Sequence, residues 1–295
     1  VKNQLAGVAL LWALFMVSCG GDPNTAISFD NTSISYSESG RGAPALVFVH
    51  GWCTNKSYWD NQVEYFKGKH KVITIDLAGH GMSGSIRRNW TPVNFARDVT
   101  AVINELNLKD VVLIGHSISE EVIVRAARME PKKIKALIGV ENFKDVDLEF
   151  NDSIQQEADR FFELMDRNFG ITAELYANDF LFAPFTSAEV RNRVIKDVKA
   201  ADPKVAIPIL KLLYTDYQED IRFLKQMVAP IHIINSSYWP TDTAALGVAC
   251  PLGYSIRFMD QVGHYPMIEK PERFNQILEE TLKDIEEDQA KAKNS

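Results

Sequence analysis

Four nearly continuous apolar runs, Ala45 to Val49, Val72 to Ile75, Val111 to Ile114 and Ala136 to Val140, restrict what this chain can fold into more than anything else in it. Each is short, rich in Val and Ile, and mostly bounded by polar or Gly positions, the pattern of strands buried on both faces of a parallel sheet. Parallel neighbours need crossover connections, so the intervening segments must supply them. Helical patterns do so at Thr91 to Leu106 and at Glu120 to Met129, the latter stopped by Pro131. Strand, helix and strand in series predict βαβ units, and with them a doubly wound, mostly parallel α/β sheet.

The pattern stops between Lys144 and Lys225, where four amphipathic stretches appear: Asp152 to Asn168, Thr172 to Phe182, Ser187 to Ala201 and Pro203 to Tyr217. It resumes with Pro230 to Ile234 and Ser255 to Phe258, then a last helix over Pro271 to Ile285. The expected organisation is a core over 43–143 and 226–285, interrupted by a helical cap over 144–225. A charged tail, 286–295, is expected to fray. With 295 residues and 46% hydrophobic composition, the chain can bury one full core plus such an insertion. A net charge of -7 and no Lys/Arg run interleaved with aromatics argue against nucleic acid as a partner.

The N-terminal segment differs in composition. Lys2 is followed by an apolar run from Leu5 to Val17, too short to span a bilayer as a helix of about 20 residues but suited to a secretory signal. Met16-Val17-Ser18-Cys19 resembles the lipobox of bacterial lipoproteins, which implies a signal over 1–18 and a lipidated Cys19. The expectation is export and membrane attachment through a lipid anchor, in the cell membrane or outer membrane of a bacterium. An ordinary cleaved signal with an incidental Cys19 is the other reading. Residues 19–42 then form a linker in which the alternation Ser33-Ile34-Ser35-Tyr36-Ser37 predicts an edge strand. Cys53 and Cys250 are left as a pair or as two free thiols. No CxxC or His/Cys cluster implies a metal.

The strongest chemical signal is Val111-Val112-Leu113-Ile114-Gly115-His116-Ser117-Ile118-Ser119-Glu120: a buried strand, a tight turn bearing Ser117, then a helix. A strained turn in that context lifts a Ser hydroxyl above the carboxyl end of the sheet. The helix start directs N–H groups at a developing anion, with the Ile118 amide as the natural donor. A Ser hydroxyl is a weak nucleophile and needs an adjacent base, a role a His suits at neutral pH.

Further segments occur in an ordered series. His50-Gly51-Trp52 follows the first buried run, Asp76-Leu77-Ala78-Gly79-His80-Gly81-Met82-Ser83 the second, and Gly263-His264-Tyr265-Pro266 with Glu269-Lys270-Pro271-Glu272 precedes the last helix. Together with the Ser117 turn they resemble the α/β-hydrolase family, over Ala43 to Leu282 except for the cap. The resemblance implies the Trp52 amide as second oxyanion donor, His264 as catalytic base, His80 and His116 as structural or pocket-lining residues, and His50 as a loop-ordering residue. It implies no cofactor.

Two positions depart from the family pattern. Ser119 replaces the last Gly of the turn, where strand and helix backbones pack closely, so a loss of stability is expected. The family also places its acid just after the strand that here ends at Ile234, yet Asn235-Ser236-Ser237 contains none. Glu141, directly after the run Ala136 to Val140, is the first choice of replacement and keeps the chain order Ser, acid, His. Asp242 would need its loop to fold back, and a site without an acid is the third outcome. Asp260 is too near His264 along the chain. Trp52, Tyr58 and Trp59 either line an acyl pocket or, for Tyr58 and Trp59 at a helix start, serve as packing anchors, while Phe161, Phe162, Phe180, Phe182 and Phe185 are either cap core or a lid. The resemblance implies a serine hydrolase acting on a small carboxylic ester, with lactone, thioester or carbon–carbon bond cleavage as rivals. A non-catalytic small-ligand-binding relative is the alternative from another class.

Overall fold

The apolar runs lie side by side in one sheet. In this computed structural model, residues 24–146, 151–212, 214, 224, 225, 227 and 230–293 are described. The expected signal over 1–18, the lipidation position Cys19 and the end of the fourth cap stretch lie outside them. Eight strands, β1 (Thr25–Ile27), β2 (Ser33–Ser39), β3 (Ala45–Val49), β4 (Val72–Ile75), β5 (Val111–His116), β6 (Ile134–Val140), β7 (Ile231–Ser236) and β8 (Tyr254–Met259), are ordered β1-β2-β4-β3-β5-β6-β7-β8. β2 is antiparallel to both of its neighbours, and the pairs from β4 across to β8 are parallel. Every residue of β3, β4, β5 and β7 is buried, which is why those runs show no alternation.

Helices α1 (Asp60–Phe66), α2 (Pro92–Glu105) and α3 (Ser119–Met129) fall between the core strands. Local chemistry sets their starts: Thr91 accepts from the Asn94 N–H at the head of α2, and Pro92 occupies a first-turn position that needs no donor. Between β6 and β7 lie α4 (Asp152–Arg167), α5 (Phe169–Tyr176), α6 (Ala188–Ala200) and α7 (Pro203–Leu212). Asn151 and Ser187 cap α4 and α6 through their side chains. A π-helical turn, Ala177–Leu181, continues α5.

After β7 come α8 (Thr243–Ala249), the short α9 (Pro266–Glu269) and α10 (Pro271–Lys293). The expected frayed tail is corrected: α10 runs on to Lys293. Its last turns are built from Glu, Lys and Ala, good helix formers, and Lys291 pairs with Asp288 at 3.1 Å. Cys53 and Cys250 are free thiols. Among the described residues no helix is long and apolar enough to cross a membrane.

Candidate active site

Loops leaving the carboxyl ends of β3, β5, β6, β7 and β8 converge above the sheet, where open α/β sheets place their sites. Ser117 follows β5 in the left-handed region, at φ 55°. Its N–H donates to Val140 O at 2.9 Å, and its own carbonyl accepts from Glu120 N, so the chain turns sharply from strand to helix with Ser117 at the apex. Gly115 permits the turn: a side chain there would meet Ile123 at 2.8 Å and the Ser119 carbonyl at 2.9 Å. Ser119 is fully buried, and its hydroxyl donates to the His50 carbonyl, tying the turn to the loop after β3. The expected penalty for replacing Gly there is therefore met by a buried hydrogen bond.

His264 lies in the loop after β8, with Nε2 2.8 Å from Ser117 Oγ. Its loop is held from several sides. His116 Nε2 donates to the His264 carbonyl at 2.7 Å, and the His264 N–H donates to Leu181 O at 3.3 Å. Glu269 accepts from the N–H groups flanking His264, Gly263 at 2.9 Å and Tyr265 at 3.0 Å, and from the Thr186 hydroxyl at 3.0 Å. His116 is driven toward its neutral form, first by complete burial and then by His264 beside it.

Of the candidate acids, Glu141 faces His264, with Oε2 3.5 Å from Nδ1. That is longer than an ordinary hydrogen bond. Oε1 accepts from the Ser236 N–H and Oε2 from Lys144 Nζ at 2.8 Å. Burial works against the Glu141 charge, but the facing His264 and the Lys144 ammonium outweigh it and hold the carboxyl below its usual range. Asp242 instead caps α8, accepting from Ala244 N and Ala245 N at 2.9 and 2.8 Å. Asp260 accepts from the Ser237 hydroxyl at 2.6 Å.

Sequence reasoning passed over the groups that bring Glu141 into place. Asn142 and Asn235 strap the ends of β6 and β7: Asn142 N donates to Asn235 Oδ1 at 3.1 Å, and Asn235 Nδ2 donates to Asn142 O at 2.9 Å. Both are buried. An amide directly after the apolar run ending at Ile234, where an acid was sought, is the one local hint of this strap.

Gly51 lies directly against the turn, since a side chain there would run into His116 Nδ1 at 2.5 Å and Ser117 Cβ at 3.1 Å. The backbone N–H groups of Trp52 and Ile118 make no hydrogen bond with another group among the described residues. They are donors in want of an acceptor beside the Ser117 hydroxyl. The Trp52 indole N–H donates to Ala206 O in α7 at 2.8 Å. A cavity of about 390 Å³ opens over Ser117 and His264, bounded by Trp52, Phe143, Tyr176, Phe180, Leu210 and Trp239. Of Phe161, Phe162, Phe180, Phe182 and Phe185, Phe180 alone lines it; Tyr58 and Trp59 are fully buried in the core, as anchors.

His50 orders its loop, accepting from Leu77 N at 3.0 Å through Nε2 while Nδ1 contacts Gly51 O. His80 is buried with a pKa pushed down to about 3 by that burial. His232 lies in β7, and His70, next to Pro44 O, is half-buried. Among the described residues no group of His, Cys, Asp and Glu could hold a metal.

A hydroxyl, an imidazole in contact with it and a buried carboxylate behind that imidazole can together move a proton, and two free amides can receive a negative oxygen. Comparison with known proteins identifies the family. The family profile described as alpha/beta hydrolase fold matches residues 44–226, and the chain belongs to that family. It is 25% identical over 251 residues to a protein named karrikin insensitive 2 receptor CA, from Petunia hybrida, covering 79% of this chain and 89% of that one. A non-heme haloperoxidase of Rhodococcus erythropolis is 37% identical over 89 residues, 30% of this chain and 32% of the relative. In structure, a thermophilic esterase from Thermogutta terrifontis superposes with a TM-score of 0.75 at 20% identity, covering 88% of this chain and 98% of the esterase, and shares its fold.

Proposed function

We propose that this protein is a serine hydrolase that cleaves small carboxylic esters. Ser117 Oγ attacks the ester carbonyl as His264 Nε2 takes its proton, the amides of Trp52 and Ile118 hold the oxyanion, and His264 returns the proton to the leaving alcohol. Water then repeats the sequence on the acyl-enzyme. Glu141 orients His264 and favours the imidazolium. The observation that carries this reading is the 2.8 Å contact between Ser117 Oγ and His264 Nε2 at the floor of the cavity. No step calls for a cofactor.

A panel of p-nitrophenyl esters of graded acyl length tests it, together with a fluorophosphonate probe and peptide mapping. The expected result is turnover that vanishes in both Ser117→Ala and His264→Ala, with the probe on Ser117. Turnover that survives both substitutions would remove the mechanism. The petunia relative's name, a receptor, supports a second reading in which the cavity binds a small ligand without turnover. Ligand binding by a folded protein that hydrolyses no ester or lactone would select it. For location, we propose export and anchoring through a lipidated Cys19, on the sequence Met16-Val17-Ser18-Cys19. Mass spectrometry of the expressed protein is expected to find a lipid-modified Cys19, and a mature chain starting elsewhere would rule it out.

A further inference from the structure

The end of β7 and the loop after it carry no acid at the position where the family keeps one, yet three of their contacts bear on one carboxylate and one lysine. Ser236 N donates to Glu141 Oε1. The Trp239 ring lies 5.1 Å from Lys144 Nζ, and Asp242 N donates to the Lys144 carbonyl at 2.7 Å. From the other side, left-handed backbone at Glu141 and Phe143, with φ of 57° and 53°, folds the chain back so that Lys144 Nζ reaches Glu141 Oε2 at 2.8 Å. Strained backbone of this kind persists where surrounding contacts over-determine it.

We propose that Lys144 is a positioning residue for the Glu141–His264 pair: its ammonium fixes the carboxylate behind His264, and its charge lowers the pH at which the pair gives up its proton. The proposal rests on the general-base role of His264 put forward above. Lys144 and His264 share Glu141 Oε2 as a contact, at 2.8 and 3.5 Å. Lys144 Nζ and His264 Nδ1 therefore lie no more than roughly 6 Å apart, close enough for like charges to repel. An ionised Glu141 alone stabilises the imidazolium, and the ammonium on the same oxygen opposes that stabilisation. Other titratable groups face the pair as well: Glu120 from α3, Asp145 from the Lys144 loop, His116 from β5, Tyr176 from α5 and Tyr265 beside His264. Among the described residues lining the cavity, Lys144 is the only Lys or Arg, so no neighbour there replaces its charge.

The test is an NMR titration of the His264 ring in wild-type, Lys144→Met and Lys144→Arg protein, paired with pH profiles of kcat/KM on an ester. Losing the charge is expected to raise the His264 midpoint, and the acid limb of the profile with it, by about one pH unit. Lys144→Arg is expected to restore both. An unmoved midpoint in Lys144→Met overturns the proposal, as does a kcat lowered by the same factor at every pH. Should the Met variant fail to fold, Lys144→Gln carries the same test. The ring titration needs no turnover, so a protein that hydrolyses no ester defeats the hydrolase reading while the midpoint still decides the role of Lys144.

Discussion

Glu120, in the first turn of α3, lines the cavity and accepts a hydrogen bond from Phe143 N at 2.6 Å. Burial raises its pKa from 4.5 to about 7 against the help of that hydrogen bond, and the neighbouring Glu121 adds to the rise. A carboxyl whose folded pKa lies above its unfolded one contributes stability that is present below about 4.5 and is lost as the pH climbs through about 7. Glu120→Gln keeps an acceptor for the Phe143 N–H and removes the titration. It is expected to stabilise the protein at pH 8 by roughly 1–2 kcal/mol, seen as a Tm higher by about 3 °C, and by much less at pH 5. Melting curves at the two pH values check this, and an equal shift at both would mean that ionisation of Glu120 is not the cause.

The loop between β8 and α10 illustrates how an element, rather than a residue, sets a site. Glu269 closes it by accepting from the two peptide N–H groups on either side of His264. Glu269→Gln turns one acceptor oxygen into a donor that faces another donor, so the loop must shift. On the hydrolase reading, misplacing the imidazole by even 1 Å is expected to lower kcat by about 10²-fold with KM changed far less. Thr186→Val, which deletes one hydroxyl contact with Glu269, is expected to do so only mildly. Steady-state kinetics on both variants, with equal activity in wild type and Glu269→Gln as the adverse result, decide the point. Elements of this kind differ in how far the sequence betrays them. The β5, Ser117 and α3 unit is legible because periodicity and turn chemistry are local, and the same holds for β3, β4 and β6. β1 is three residues long and too short to carry a pattern. The end of α10 was misjudged because charge density marks a frayed tail and a solvated helix alike. Glu141 could be singled out from strand order, whereas the Asn142–Asn235 strap beside it and its own bond to Ser236 span 93 and 95 residues of chain, separations no local pattern encodes.

At the scale of the molecule, several polar contacts among the described residues join the inserted helices to the core, and one of them runs through a residue of the proposed oxyanion site. Tyr58 Oη donates to Asp197 of α6 at 2.8 Å, and Arg193 of the same helix lies 4.2 Å from the Tyr58 ring centre; both contacts lie away from Ser117 in the chain and hold α6 to the core. The Trp52 indole is different, because the residue that donates to Ala206 O in α7 also carries one of the two proposed oxyanion amides. Its ring further packs edge-on against Tyr176 of α5, with centroids 5.4 Å apart. A shift of α7 is thus transmitted through one side chain to a donor that must meet the oxyanion within a few tenths of an ångström to be effective. Trp52→Phe keeps an aromatic ring for Tyr176, removes the hydrogen bond and leaves a small void where the rest of the buried indole was. The bond alone contributes about 1 kcal/mol, so Tm is expected to fall by at least about 2–4 °C. If the contact also aligns the amide, kcat falls by about tenfold while KM for the same ester changes little, since the loss is felt only as the oxyanion forms. A lowered Tm with kcat intact would leave the indole as a clip between α7 and the core, and would separate the inserted helices from the chemistry beneath them.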